Sequence, residues 1–203
     1  MTDWDIFFNA KIEKIFNEQK LIIDIGGGLR VSPKGNRHDA SRDWIEPLMK
    51  KADYKILDPV PDYQPDIIGD IHHLPLADDS VDAIICLAVL EHVENPILAV
   101  SEMKRVLKPG GYLLVYVPFL YYYHAEKGYY ADYWRFSEDA VKSLFKDFSS
   151  LQSQNVRGAL GTWLKLSPLG RWPWLLNLAG WLDQLTGKAK SRQTSGYYVF
   201  LTK

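Results

Sequence analysis

Leu21-Ile22-Ile23-Asp24-Ile25-Gly26-Gly27-Gly28 is the stretch that decides the fold. An apolar run rich in β-branched residues with one carboxylate near its end reads as a strand, and the strand runs directly into a backbone without side chains. Glycine at Gly26 and Gly28 allows positive φ and lets a ligand lie against the main chain. A strand that delivers an acid and a bare loop to one edge of a sheet is the start of an α/β ligand-binding fold.

Outward from this point the periodicities alternate. Upstream, Phe8, Ile12, Ile15 and Phe16 share one helical face, which predicts an amphipathic helix over 3–19. Downstream, the polar turn Ser32-Pro33-Lys34-Gly35-Asn36 leads to a predicted helix over 39–51 and a strand over 54–57 closed by Asp58-Pro59. The segment from Pro59 to Pro65 is too rich in proline for a helix, so a third strand over 66–68 is expected without a crossover helix. Residues 81–87 form a nearly unbroken apolar run, the pattern of a parallel strand covered on both faces. Asn95 and Pro96 open a helix with Ile97, Val100, Met103 and Leu107 on one face, and Pro109-Gly110-Gly111 ends it before a strand over 112–117. A helix over 137–148 and strands over 151–156 and 197–202 complete the pattern.

The expected fold is α/β: a Rossmann-like, open, mostly parallel sheet with an antiparallel last strand and helices on both faces. At 203 residues and 47% hydrophobic composition the chain fills one domain, 1–203, and is too short for two ordinary ones. Within it we distinguish an N-terminal helix (1–19), a cofactor-binding half (20–118), an aromatic lid (119–136) and a Trp-rich helical insertion (157–195).

Charge and cysteine usage narrow the classes. With 24 basic and 25 acidic residues, the net charge of −1 lacks the basic surplus of nucleic-acid-binding domains, so nucleic acid is not an expected partner. The single cysteine, Cys86, sits in an apolar run and reads as a core residue of a reducing compartment. The acidic N-terminus does not resemble a secretory signal, and the apolar stretch from Trp172 to Leu185 is interrupted by Pro173, Asn177, Gly180 and Asp183. A cytoplasmic protein is expected.

In an open parallel sheet the ligand sits at the carboxyl ends of the strands, and Asp24, Asp58 and Asp70 all fall there. A dinucleotide would rest its pyrophosphate on a helix starting inside the glycine loop. Arg30, Pro33 and Gly35 oppose such a start, which favours a ligand without phosphate. The succession Asp24-x-Gly26-x-Gly28, Asp58, Gly69-Asp70-Ile71-His72-His73-Leu74-Pro75-Leu76, Asp82-Ala83-Ile84-Ile85 and Leu107-Lys108-Pro109-Gly110-Gly111 resembles the class I S-adenosylmethionine-dependent methyltransferases, and among them the type 11 group. The resemblance covers 21–117. It implies S-adenosyl-L-methionine as cofactor, with Asp24, Gly26, Gly27 and Gly28 toward the methionine end, Asp58 on the ribose hydroxyls, Asp70 and the Ile71 amide on the adenine edge, and Leu87 completing the set. The chain departs from the family at Arg30, where a small residue is usual, and in the loop that replaces the helix after strand two.

Methyl transfer depends on alignment more than on acid or base strength, so catalytic motifs are faint. For a hydroxyl acceptor a base is needed, and His92 and His124 are the catalytic candidates. Glu91 and His92 together would need further ligands to hold a metal, so none is expected. Between Phe119 and Trp134 stand eight aromatic residues, and from this lid Tyr121, Tyr123, Tyr133 and Arg135 are the substrate-binding candidates. Arg135 is placed either to clamp an acidic acceptor or to pair with Asp132 at i+3. The segment resembles methyltransferases of surface-glycan and secondary-metabolite pathways, which implies a small-molecule or sugar acceptor.

The insertion carries Trp163, Trp172, Trp174 and Trp181 beside Lys165, Arg171, Lys188, Lys190 and Arg192. Two readings stand for it: a helical cap or homodimer face that buries the tryptophans, or a peripheral membrane contact. For the whole chain the alternatives to a methyltransferase are a non-catalytic methyltransferase-like binding module and a nucleotide-dependent oxidoreductase or epimerase.

Overall fold

The computed structural model describes residues 1–31 and 38–203, and the polar turn expected at Ser32 to Asn36 lies outside the described residues. The chain opens with α1 (Asp3–Glu18), entered through a capping box in which Thr2 and Asp5 satisfy each other's backbone N–H groups. Next comes β1 (Leu21–Ile25), then a tight turn of helix over Ala40–Ile45 continuing into α2 (Glu46–Met49), and β2 (Asp53–Asp58). The expected single helix over 39–51 is thus split. Pro47, which supplies no N–H, sits in the first turn of α2, where the tighter helical turn gives way to it.

Between β2 and the two-residue β3 (Ile67–Ile68) there is only one helical turn, Pro61–Tyr63. Asp66, expected in the strand, instead turns its carboxylate to accept the Ile56 N–H at 2.8 Å. β4 (Val81–Leu87) is followed by α3 (Pro96–Val106), with the Asn95 side chain accepting from Leu98 N–H at its start. The buried face of α3 is Pro96, Ala99, Val100, Met103 and Val106. Ile97, expected on that face, is 72% exposed, because a helix beginning at Pro96 turns position 97 toward solvent. Leu107 already belongs to β5 (Leu107–Pro118).

Then α4 (Glu138–Leu144) follows, shorter than the predicted 137–148, and β6 (Ser150–Val156). The insertion forms α5 (Ala159–Leu166) and α6 (Pro173–Leu185) before the closing β7 (Gly196–Thr202). Asp183 of α6, almost fully buried, accepts the N–H groups of Leu160 and Gly161 at 2.9 Å each and so caps α5 from its neighbour.

The seven strands lie in the order β3-β2-β1-β4-β5-β7-β6. All neighbours are parallel except β7, which runs antiparallel to both β5 and β6. Strand alternation divides the core. Ala83, Ile85 and Leu87 face α1, packing with Phe8, Ile12 and Phe16, whereas Ile84 and Cys86 face α3 and α4, packing with Met103 and Phe145. With both faces covered, the carboxyl edge of β1, β2 and β4 is left as the place for a ligand.

Candidate active site

A cavity of about 760 Å³ opens at that edge, lined by the glycine loop, the ends of β2 and β4, and the aromatic segment after β5. The size falls within the range of small-ligand sites. Of the predicted site residues, Gly26, Gly27, Gly28, Asp58, Asp70, Ile71, Leu87, His92, His124 and Tyr133 line it.

Asp24 is not among the lining residues. Its carboxylate is fully buried beneath the loop, accepting the N–H groups of Gly28 at 3.1 Å and Leu29 at 3.0 Å and the Tyr54 hydroxyl at 2.6 Å. The residue shapes the loop from below. Burial pushes its pKa up to about 6, while the three hydrogen bonds and the charge of Arg42 pull the other way. Arg42, which the sequence reading passed over, lines the cavity and donates to the carbonyls of Gly28 at 2.6 Å and Leu29 at 3.3 Å. Between them, Asp24 takes the loop's N–H groups and Arg42 its carbonyls.

The glycines answer to packing. A Cβ on Gly28 would lie 2.7 Å from both the Cβ and the carbonyl oxygen of Leu87, and one on Gly26, at φ +78°, 2.6 Å from Val89 Cγ2. The loop therefore sits directly on the end of β4. Ala88, which lines the cavity there, is held at φ +56° with its N–H bonded to the Tyr116 carbonyl, a strained position that nothing local in the sequence announces.

Asp58, 6% exposed at the end of β2, accepts the Val60 N–H at 2.8 Å. Asp70 accepts the His72 N–H at 2.9 Å and the His72 ring Nδ1–H at 2.7 Å through one oxygen.

The lid is stitched to the turn after β4, since the Glu91 carbonyl accepts the N–H groups of Tyr133 at 2.7 Å and Trp134 at 3.2 Å. That turn brings three donors together: the ligand atoms of Glu91, His92 and His124 lie within 4.8 Å of one another. Glu91 is fully buried, and neither carboxylate oxygen has a hydrogen-bond partner among the described residues. Nδ1 of His92 lies 2.7 Å from the Ala131 carbonyl, and Nδ1 of His124 lies 3.1 Å from that of Tyr122. A carbonyl only accepts, so each Nδ1 carries its proton and each Nε2 points inward. The Glu91 carboxylate beside it raises the His124 pKa.

The remaining lid candidates stand elsewhere. Tyr121 packs its ring on Tyr122 and His124, and Tyr123 is 74% exposed. Arg135 is engaged by Asp132 through both carboxylate oxygens, at 2.6 and 2.7 Å, and by the carbonyls of Tyr121, Tyr122 and Trp134. Of its two sequence readings, the pairing with Asp132 is the one the geometry displays, and it holds the Asp132 pKa down at about 2.

Residues 42–115 match the family model described as a methyltransferase domain. A 37.1 kDa uncharacterized transposon protein of Streptomyces fradiae is 37% identical over 43% of this chain and 24% of its own length. A probable tRNA methyltransferase 9B of Homo sapiens is 34% identical over 53% of this chain and 24% of its own length. This chain thus spans about a quarter of the length of these curated relatives. Among solved structures, an S-adenosylmethionine-dependent methyltransferase of Archaeoglobus fulgidus superposes with a TM-score of 0.61 at 11% identity, covering 97% of this chain and 93% of that one. The 1,6-didemethyltoxoflavin-N1-methyltransferase of Burkholderia thailandensis, with its substrate and S-adenosylhomocysteine bound, gives 0.56 at 15% identity over 96% of this chain and 75% of its own. At such identities these two similarities speak for the fold.

Proposed function

We propose that the chain is a class I S-adenosylmethionine-dependent methyltransferase whose cavity binds S-adenosyl-L-methionine and transfers its methyl group to a hydroxyl of a small-molecule or sugar acceptor. The observation that carries this is the placement of the Asp58 carboxylate at the end of β2, beside a glycine loop whose described residues start no helix. The described loop residues 26–29 form a turn closed by Arg30 N–H to the Gly27 carbonyl, and the next described helical turn begins at Ala40. A carboxylate suits a ribose diol, because it accepts two hydrogen bonds, and it would repel a 2′-phosphate.

The residues present fit the cofactor. Asp58 would take the ribose hydroxyls, Asp70 and the Ile71 amide the adenine edge, and Gly26 to Gly28 the amino-acid end. When bound, the cofactor supplies an electrophilic methyl group on a sulfonium. The protein's own part is to orient the acceptor and exclude water. Tyr129, Tyr130 and Tyr133 close the cavity's acceptor side, and His92 and His124 stand there to hold the acceptor's proton or oxygen. A cavity walled by tyrosine rings and imidazoles admits a small polar acceptor.

Incubation with methyl-labelled S-adenosylmethionine and a panel of glycosides and phenols, alongside bulk transfer RNA, tests the acceptor. Label is expected in the small-molecule fraction. Label found only in RNA, or in neither, sinks the assignment.

The insertion adds a surface. Trp163, Trp174 and Trp181 are 67%, 64% and 60% exposed, so the helical pair does not bury them within its own chain. Over 157–193 six basic residues accompany them, and the single acid, Asp183, is buried. Exposed indoles flanked by basic side chains, of which Arg192 alone pairs with a carboxylate among the described residues, Glu138 at 3.1 Å, support contact with an anionic lipid surface. Among the described residues no helix is long and apolar enough to cross a membrane.

A further inference from the structure

We propose that Glu91, His92 and His124 form a binding site for a divalent transition-metal ion at the acceptor end of the cavity. Three independent features converge. First, the donor set is two imidazole nitrogens and one carboxylate, a combination that suits zinc and its neighbours and leaves coordination positions open. Second, Glu91 is fully buried with no hydrogen bond to either carboxylate oxygen and only the two imidazoles beside it, at 3.5 and 3.9 Å, a costly arrangement for a group with no role. Third, both rings are fixed by carbonyls at Nδ1, the second contact that metal-binding histidines ordinarily make, so that both Nε2 atoms face the carboxylate.

The distances match an open site poised to contract. Glu91 Oε1 lies 3.5 Å from His124 Nε2 and 3.9 Å from His92 Nε2, beyond hydrogen-bond range. A tetrahedral ion with donors at about 2.1 Å would hold them about 3.4 Å apart. The Glu91 contacts then close by a few tenths of an ångström, and the histidine pair, bounded by the 4.8 Å span of the cluster, by at most about 1.4 Å.

His92 and His124 line the cavity, so the open positions of the ion face the space assigned to the acceptor. A hydroxyl oxygen completing that set would ionise more readily than in water. This use of the metal rests on the methyltransferase reading; the binding itself does not.

The test is metal binding to the full chain without cofactor. Chelator-treated protein is titrated with zinc chloride by calorimetry and with cobalt(II) chloride by visible absorption. The wild type is expected to bind one ion per chain, with cobalt bands of a nitrogen and oxygen environment and a higher Tm at saturation. Glu91→Gln and His124→Ala should each weaken binding by at least roughly tenfold, while the exposed His38→Asn leaves it unchanged. Should Glu91→Gln fail to fold, the less buried His124→Ala carries the comparison. Absence of saturable binding to folded wild type, or equal affinity in wild type and His124→Ala, overturns the site. Binding of S-adenosylhomocysteine is measured separately on the same preparation, so failure of the cofactor reading and failure of the metal site remain distinct.

Discussion

Asp24 and Asp58 lie one strand apart and have opposite tasks. Asp58 lines the cavity, and Asp58→Ala should weaken S-adenosylhomocysteine binding roughly tenfold, the loss of one or two charged hydrogen bonds. Unchanged affinity by calorimetry would remove it from the ribose. Asp24 acts on the loop alone. Its native pKa of about 6 lies above that of the unfolded chain, so the native state binds the extra proton between about pH 4 and 6. Stability from this residue is therefore full below that window and falls as pH rises through it, by on the order of 3 kcal/mol. Urea midpoints of wild type and Asp24→Asn across pH 4 to 7 should show this slope in the wild type only. Parallel slopes would contradict the burial argument. At this scale the sequence was informative where side chain and role are local: an acid ending a strand is visible in one window. Arg42 and Tyr54, which hold the same loop from other elements, leave no local mark.

Two elements decide whether the cavity works, the glycine loop and the lid. Gly28→Ala would drive a Cβ into the Leu87 backbone at 2.7 Å, so the loop must lift from β4. The expected cost is about 1–3 kcal/mol of stability together with weaker cofactor binding, read by thermal melts and calorimetry. The lid is held differently. Arg135 ties Asp132 to three backbone carbonyls, and Arg135→Ala should leave cofactor affinity intact while opening 119–136 to limited proteolysis. Equal protease resistance would mean that the Glu91 carbonyl suffices to hold the lid. Strand periodicity located β1 and β4 to the residue, since their neighbours bury both faces. Helix faces were less legible: the position of Pro96 sets which side of α3 is buried, and Pro47 stands where a tighter helical turn passes into α2 within a run that composition alone makes uniform.

Across the whole molecule, the antiparallel β7 inserts between β5 and the edge strand β6 and leaves the α5–α6 pair as a Trp-rich, basic face. With vesicles containing anionic lipid, tryptophan emission should shift to the blue and the protein should co-sediment; Trp174→Ser with Trp181→Ser should reduce binding about tenfold or more. Co-sedimentation equal on neutral vesicles, or a concentration-dependent dimer that buries the same indoles, would replace the lipid by another partner. The order of motifs along the chain displayed the fold class because each motif closes one βα unit. The meeting of Glu91 with His124 was invisible, because 32 intervening residues, including all of α3 and β5, return the chain to the same turn.

The roles assigned to Asp58, Asp70 and the glycine loop depend on the carboxyl-edge cavity being an S-adenosylmethionine site. Calorimetric titration of the intact chain with S-adenosylhomocysteine, NAD and NADP tests it most directly. Saturable binding of S-adenosylhomocysteine at one site per chain is expected, and none of either dinucleotide. Binding of NAD or NADP without S-adenosylhomocysteine, or of none of the three, would contradict it.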